Sequence, residues 1–253
     1  MEKRFEKKRW NFFIVLALIL LSLYFSAAVP EGPGSIVTVS NTTRNISSAF
    51  VLNTSGGEIT TVNINATQTN TRWKAFVGNV TGKLVLSNSG GSTLFDWSLT
   101  SVAGEVYATR NSTSINWNNI NCTWGVTNNV TNRSVERTEN YNLNHTSPDD
   151  NITATFNNRS HSSFTVGAVT FAQNYCYSIY TYQNDSAQTT RYQEILLYSG
   201  TTAYDGDLVY ATVLESGIKG YDNRYYDFQM ILPEKGLASW ASSTPYYFYA
   251  EVI

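Results

Sequence analysis

Apolar and polar residues alternate along most of this 253-residue chain in short runs of period two, the pattern of half-buried β-strands. Over residues 60–67, Thr60, Val62, Ile64 and Ala66 face one way and Thr61, Asn63, Asn65 and Thr67 the other, which predicts such a strand with Asn65 outward. Similar alternation or short apolar runs predict strands at 73–77, 83–86, 93–99, 105–108, 164–171, 175–182, 192–198, 208–214, 225–232 and 246–253. Gly56-Gly57, Gly78-Asn79, Gly90-Gly91, Gly200, Asp205-Gly206 and Gly220 read as the turns between them. No run carries a helical stripe, and no repeat of fixed period points to a solenoid or propeller. The pattern predicts an all-β fold, a single antiparallel β-sandwich of jelly-roll-like or immunoglobulin-like type over residues 36–253. The Asn-, Thr- and Ser-rich stretch 111–159 reads as long, heavily glycosylated loops. The last run, 246–253, is apolar on both faces and reads as a strand buried on both sides.

The N-terminus breaks this pattern. Lys3, Arg4, Lys7, Lys8 and Arg9 precede an apolar stretch, 12–25, interrupted only by Ser22, which together form the basic and apolar regions of an export signal. Ser26-Ala27-Ala28 offers the small residues a signal peptidase reads, so residues 1–28 form either a signal peptide cleaved before Val29 or a retained signal-anchor helix. Residues 10–29 match the ~20 residues a bilayer span needs, and they are the chain's only predicted membrane contact. Either outcome places the domain outside the cell, at the cell surface and in contact with the envelope. No Gly precedes the apolar run as in archaeal pilin signals, which argues against a type IV pilin. Pro30, Gly32, Pro33 and Gly34 mark residues 29–35 as a linker.

Thirteen Asn-x-Ser/Thr acceptor motifs begin at Asn41, Asn45, Asn53, Asn65, Asn79, Asn111, Asn121, Asn129, Asn132, Asn144, Asn151, Asn158 and Asn184. With 25 Asn and 54 Ser plus Thr among the 225 residues after Ala28, random order would give about six. The excess points to N-linked glycans on an exposed, solubilising surface. The last 67 residues carry no acceptor but hold ten of the 17 tyrosines, so this part reads as core or as a face free to meet a neighbouring subunit.

Without residues 1–28 the chain has 12 Lys plus Arg against 17 Asp plus Glu. That mildly acidic balance, with no clustered cations after Arg9, excludes nucleic acid as a partner. The two cysteines, Cys122 and Cys176, read as one disulfide in an oxidising compartment, the alternative being two separate buried thiols. No Cys/His spacing suggests zinc, and haem-attachment motifs are absent.

Candidate chemistry is sparse. His145 sits within an acceptor motif and reads as solvated, while His161 could anchor a Ser-His-Asp triad but has no Gly-x-Ser-x-Gly elbow beside it. Glu194, Glu215, Asp227 and Glu251 are the carboxyls in or near strands from which a glycosidase pair would have to come. Asp205 and Asp207, with Asp222-Asn223, supply hard oxygens suited to calcium; no other cofactor is expected. Trp117, Trp124 and Trp240 would stack on sugars if exposed and fill the core if not. These readings favour a chain that is not an enzyme.

Several segments carry a resemblance: Arg72-Trp73-Lys74-Ala75-Phe76-Val77-Gly78-Asn79-Val80-Thr81-Gly82, Leu94-Phe95-Asp96-Trp97, Gly104-Glu105-Val106-Tyr107-Ala108, Tyr226-Asp227-Phe228-Gln229-Met230-Ile231-Leu232-Pro233 and Tyr246-Tyr247-Phe248-Tyr249-Ala250-Glu251. With them the chain resembles archaeal secreted cell-surface proteins rich in β-structure. The resemblance implies an archaeal envelope location and an all-β fold and carries no catalytic residue. The expectation is an exported, heavily N-glycosylated structural protein that self-assembles as a filament, sheath or surface-layer component. The alternative is a membrane-anchored adhesin or carbohydrate-binding module. Ile36-Val37-Thr38-Val39 is the segment for self-association by strand pairing, against the reading, favoured on sequence, that it pairs within its own sheet.

Overall fold

The structure, a computed structural model, describes residues 29–43, 48–67, 69–98, 103–113, 115–123, 133–202, 205–235 and 243–252. The predicted export segment, residues 1–28, lies outside them. Among the described residues no helix is long and apolar enough to cross a membrane.

In chain order the elements are β1 (Trp73–Gly78), β2 (Lys83–Ser87), β3 (Thr93–Ser98), β4 (Gly104–Thr109), β5 (Ile120–Cys122), α1 (Ser134–Asn142) and α2 (Ile152–Thr155). There follow β6 (Phe164–Val166), β7 (Val169–Phe171), β8 (Ser178–Tyr180), β9 (Tyr182–Gln183), β10 (Ser186–Ala187), β11 (Gln193–Thr202) and β12 (Asp205–Val213). The last are β13 (Ile218–Lys219), β14 (Tyr225–Tyr226), β15 (Phe228–Pro233) and β16 (Tyr247–Val252). The fold is mostly β, and its strand pairs are antiparallel.

A six-stranded sheet organises the domain in the order β16-β4-β12-β11-β5, with β8 sharing the β11 edge. β8 pairs with Gln193–Ile195 and β5 with Leu197–Ser199, so two short strands cover one long edge. Period-two alternation splits this sheet between two cores. Val106, Ala108, Leu196, Tyr198, Leu208 and Tyr210 point to the side packed by the helices and by Met230 and Leu232 of β15. Tyr107, Ile195, Leu197, Val209 and Ala211 point to the other, closed by Trp117, the β6–β7 hairpin and the cysteines. At Gly104 φ is +124° and a Cβ would collide with the Glu251 carbonyl, so only glycine lets β4 start against β16 there.

Five sequence expectations change. The run 164–171 is a hairpin that turns at Gly167, and Asp205-Gly206 begins β12 instead of forming a turn. β16 is the edge of the sheet and is half-buried, with Glu251 its one buried residue; Phe248 packs against one core and Tyr249 against the other, so both faces are covered only in part. The stretch 111–159 is not a string of loops: it buries Ile115, Trp117, Ile120, Val135, Leu143, Ile152 and Phe156 and forms both helices. α1 buries Val135, Glu136 and Asn140, two of them polar, which is why no apolar stripe announces it.

The fifth change concerns the N-terminal arm, over 29–43 and 48–67. No strand forms in it, and every described residue except Pro30 is exposed. The strand predicted over 60–67 is therefore absent, and Ile36 to Val39 do not pair within their own sheet. Alternation fixes which face a strand would bury, but a strand also needs a partner with open N–H and C=O groups. The arm makes one bridge, in which Glu31 N–H donates to Ala250 C=O (3.1 Å) and Ala250 N–H donates to Glu31 C=O (2.8 Å). Two residues further along this antiparallel register stands Pro33, which has no N–H to continue the ladder.

Candidate functional site

Ten of the thirteen acceptor motifs fall within the described residues; Asn45, Asn129 and Asn132 lie outside them. Asn41, Asn53, Asn65, Asn79, Asn121, Asn144, Asn158 and Asn184 are exposed, and Asn111 and Asn151 are half-buried. Asn144 and Asn184 take left-handed conformations (φ 58° and 45°) that lift them out of their loops. Asn151 caps α2 by accepting from Ala154 N–H (2.7 Å). Asn111 Oδ1 accepts from Thr113 N (2.7 Å) and Thr113 Oγ1 (2.6 Å), while its Nδ2 donates to Asp207 Oδ2 (2.7 Å). Every described acceptor is thus reachable from solvent on at least one side.

Cys122 and Cys176 form a disulfide with Cα atoms 5.0 Å apart, inside the core that faces the β6–β7 hairpin. Trp117 is buried between Tyr107 and Tyr249, each ring 5.1 Å away, and is a core residue; Trp124 and Trp240 lie outside the described residues. For calcium, Asp207 holds the Asn111 amide, and the side chain of Asp205 lies outside what is described. Among the described residues no group of three or more His, Cys, Asp or Glu could hold a metal ion.

Both histidines are buried, which corrects the solvated reading of His145. Its ring meets Trp73 edge-on at 5.5 Å, and its Nε2 donates to the Glu234 carbonyl (2.6 Å). His161 Nε2 accepts from Cys176 N–H (2.8 Å), so the proton sits on Nδ1, which donates to Ser162 C=O (2.7 Å). Burial lowers the pKa of each. With both nitrogens of His161 engaged by main chain, the Ser-His-Asp reading has no geometry behind it.

Each strand carboxyl is held by a main-chain donor. Glu194 Oε2 accepts from Ile231 N (2.8 Å), Glu215 Oε2 from Tyr192 N (3.3 Å) and Asp227 Oδ2 from Val80 N (2.9 Å). Glu215 and Asp227 are neighbours, Glu215 N–H donating to Asp227 C=O (2.8 Å), but their carboxylates are engaged by different segments. Glu251 faces a carboxyl, Glu105, directly opposite it in the β4–β16 register. Glu251 Oε2 accepts from Tyr107 Oη (3.1 Å) and Gly167 N (3.0 Å), locking the β6–β7 hairpin onto the edge strand. Burial, and then the charge of Glu251, push the Glu105 carboxyl up to about 8. The sequence placed Glu105 in a strand, but the pairing depends on register, which no local pattern reveals.

This pair sets a pH dependence. A carboxyl whose folded pKa is raised contributes stability that is fully present below its unfolded value and lost as pH rises through the folded one. For Glu105 that window runs from about 4.3 to about 8. The buried histidines lose stability only as pH falls below about 6.5, so they do not oppose the effect above that. Thermal melts at constant ionic strength should therefore show stability falling by about 2 kcal/mol between pH 6.5 and 8.5. Glu105→Gln should reduce the slope, leaving the part due to Glu194, whose buried carboxyl is also held well above the usual range; an unchanged slope in that variant would assign it to other groups.

The most unusual surface is apolar. Ile36, Val37 and Val39 of the arm are 66%, 78% and 93% exposed, and Phe50 is 94% exposed. The β2–β3 hairpin is exposed along its whole length. Its register places Leu84 opposite Trp97 and Leu86 opposite Phe95, so four large apolar side chains share one face. Phe95 and Trp97 meet edge-on at 4.9 Å, and the other face carries the Lys83–Asp96 ion pair (2.8 Å). A free two-stranded hairpin is marginal in water without a third strand or a covering layer. The strands were legible in the sequence, but that the face stays uncovered was not. Comparison of the chain with family models, curated proteins and solved structures gives no match.

Proposed function

We propose that the chain is an exported, heavily N-glycosylated archaeal cell-surface structural protein that assembles with copies of itself into a filament, sheath or surface-layer component. The observation that carries this reading is the unpaired arm, with its exposed Ile36, Val37 and Val39 beside no strand of its own chain. An extended segment of this kind gains main-chain hydrogen bonds and apolar burial by lying on a sheet edge of a neighbour. Ile36 to Val39 contain no acceptor themselves, the first being Asn41. The open β2–β3 hairpin is the receiving surface we assign. We read the two layers about the central sheet as a β-sandwich that displays glycans, and the disulfide fits an oxidising, extracellular setting.

The energetics favour a joint interface over the arm alone. Fully burying a Val or Ile side chain stabilises by roughly 1.5–3 kcal/mol, and ordering one residue costs about 1–2 kcal/mol. Residues 36–39 by themselves come out near balance. Covering the four half-exposed apolar side chains of the hairpin at the same time shifts the balance towards association.

Deleting residues 35–40 should leave a folded, disulfide-bonded domain that stays monomeric in sedimentation at concentrations where the mature chain assembles. Assembly undiminished by the deletion would reject the arm as its cause.

A second reading, a membrane-anchored adhesin or carbohydrate-binding module, draws on the paired rings of Phe95 and Trp97, half exposed as a sugar-stacking platform would be. Glycan-array binding lost in Trp97→Ala, with no self-association of the parent, would favour that reading.

A further inference from the structure

Nine of the ten described acceptor motifs leave their hydroxyl residue exposed or half-buried; the tenth, Asn121-Cys122-Thr123, does not. Thr123 is 2% exposed and its Oγ1 is buried with no hydrogen-bond partner. Cys122, the middle residue, is also 2% exposed and is bonded to Cys176. The main chain is fixed as well, since Asn121 pairs with Tyr198 and Cys122 with Leu197 as β5 lies on β11. Asn121 alone faces solvent, its Nδ2 donating to the Asn119 carbonyl (3.1 Å).

The acceptor motif is defined by the Asn and by the hydroxyl two residues on, so the transferase has to reach both side chains. In the folded, oxidised domain it can reach the first and not the second. We infer that Asn121 accepts a glycan only before Cys122 bonds to Cys176, so that disulfide formation closes this one site while the others stay open. The exposed Asn121 side chain leaves room for a sugar once the fold is complete, so glycan and disulfide coexist when the glycan comes first. The order of the two events then sets the fraction of chains glycosylated beside the disulfide. In one step Asn121 Nδ2 bonds to C1 of the lipid-linked oligosaccharide, the lipid phosphate leaves and Nδ2 loses a proton; in the other the Cys122 and Cys176 thiols give two protons and two electrons to a thiol oxidant of the extracellular compartment. The inference rests on the glycoprotein reading above.

The test uses the chain from Val29 onward, made without glycans, folded and oxidised, then incubated with an archaeal oligosaccharyltransferase and its lipid-linked donor. Site occupancy is read by peptide mass spectrometry, with and without prior reduction and unfolding. The expected result is modification of Asn144, Asn158 and Asn184 in both states and of Asn121 at least tenfold more after reduction. The Cys176→Ser variant should raise Asn121 occupancy in cells and leave Asn158 unchanged. Equal occupancy of Asn121 and Asn158 in the folded, oxidised protein would overturn the inference and leave the glycoprotein reading intact. Modification of no site in either state would remove both.

Discussion

Replacing Arg133 by Met should destabilise the domain by about 3–5 kcal/mol. Arg133 is the hub of the two helices. Its Nε donates to Glu136 Oε1 (2.8 Å), its two terminal nitrogens donate to the carbonyls of Thr153 (2.9 Å) and Phe156 (2.7 Å), and its guanidinium lies 3.8 Å from the centre of the Tyr177 ring. Glu136 is fully buried, so removing its partner strands a carboxylate in the core. Against a total stability of about 5–15 kcal/mol for a domain, that loss populates the unfolded state. Urea denaturation followed by circular dichroism measures it. Arg133→Met combined with Glu136→Leu should recover most of the loss, because the stranded charge goes too. A single variant within about 1 kcal/mol of the parent would show that the pair is solvated and contributes little.

Removing the disulfide should cost about 4 kcal/mol, the chain-entropy value for a loop of this size, given a separation of 54 residues between Cys122 and Cys176. The bond fastens β5, on the β11 edge, to the segment that enters β8 on that same edge. Cys122→Ser with Cys176→Ser should lower the urea midpoint, and reduction of the parent should give the same midpoint. A double variant as stable as the oxidised parent would mean that core packing alone holds this edge.

How much was legible in the sequence follows from what each signal measures. Period-two alternation located β1, β4, β11, β12, β15 and β16 because their residues pack against the apolar cores, and it located β2 and β3 because their apolar side chains share one face, although nothing in the described chain covers it. The same signal failed at 60–67, where the pattern exists and the partner strand does not. α1 was hidden because it buries Glu136 and Asn140, whose partners are Arg133 at the helix's own N-cap and the main chain of Ile152 in the next helix. His145 was misplaced for a related reason. Its neighbour Asn144 is exposed in a left-handed turn, yet the next side chain points inward against Trp73. The pairing of the cysteines was legible because only two exist. The Glu105–Glu251 pair and the uncovered face of β2–β3 were not, since both depend on register and on what the rest of the chain leaves open.

If the arm joins copies of this chain on the cell surface, as proposed, electron microscopy of native surface material, with mass spectrometry of the same fraction, should show filaments or lattices built from this chain, N-glycosylated and beginning near Val29. Dispersed, membrane-bound protein that retains residues 10–29 and forms no ordered assembly would contradict it.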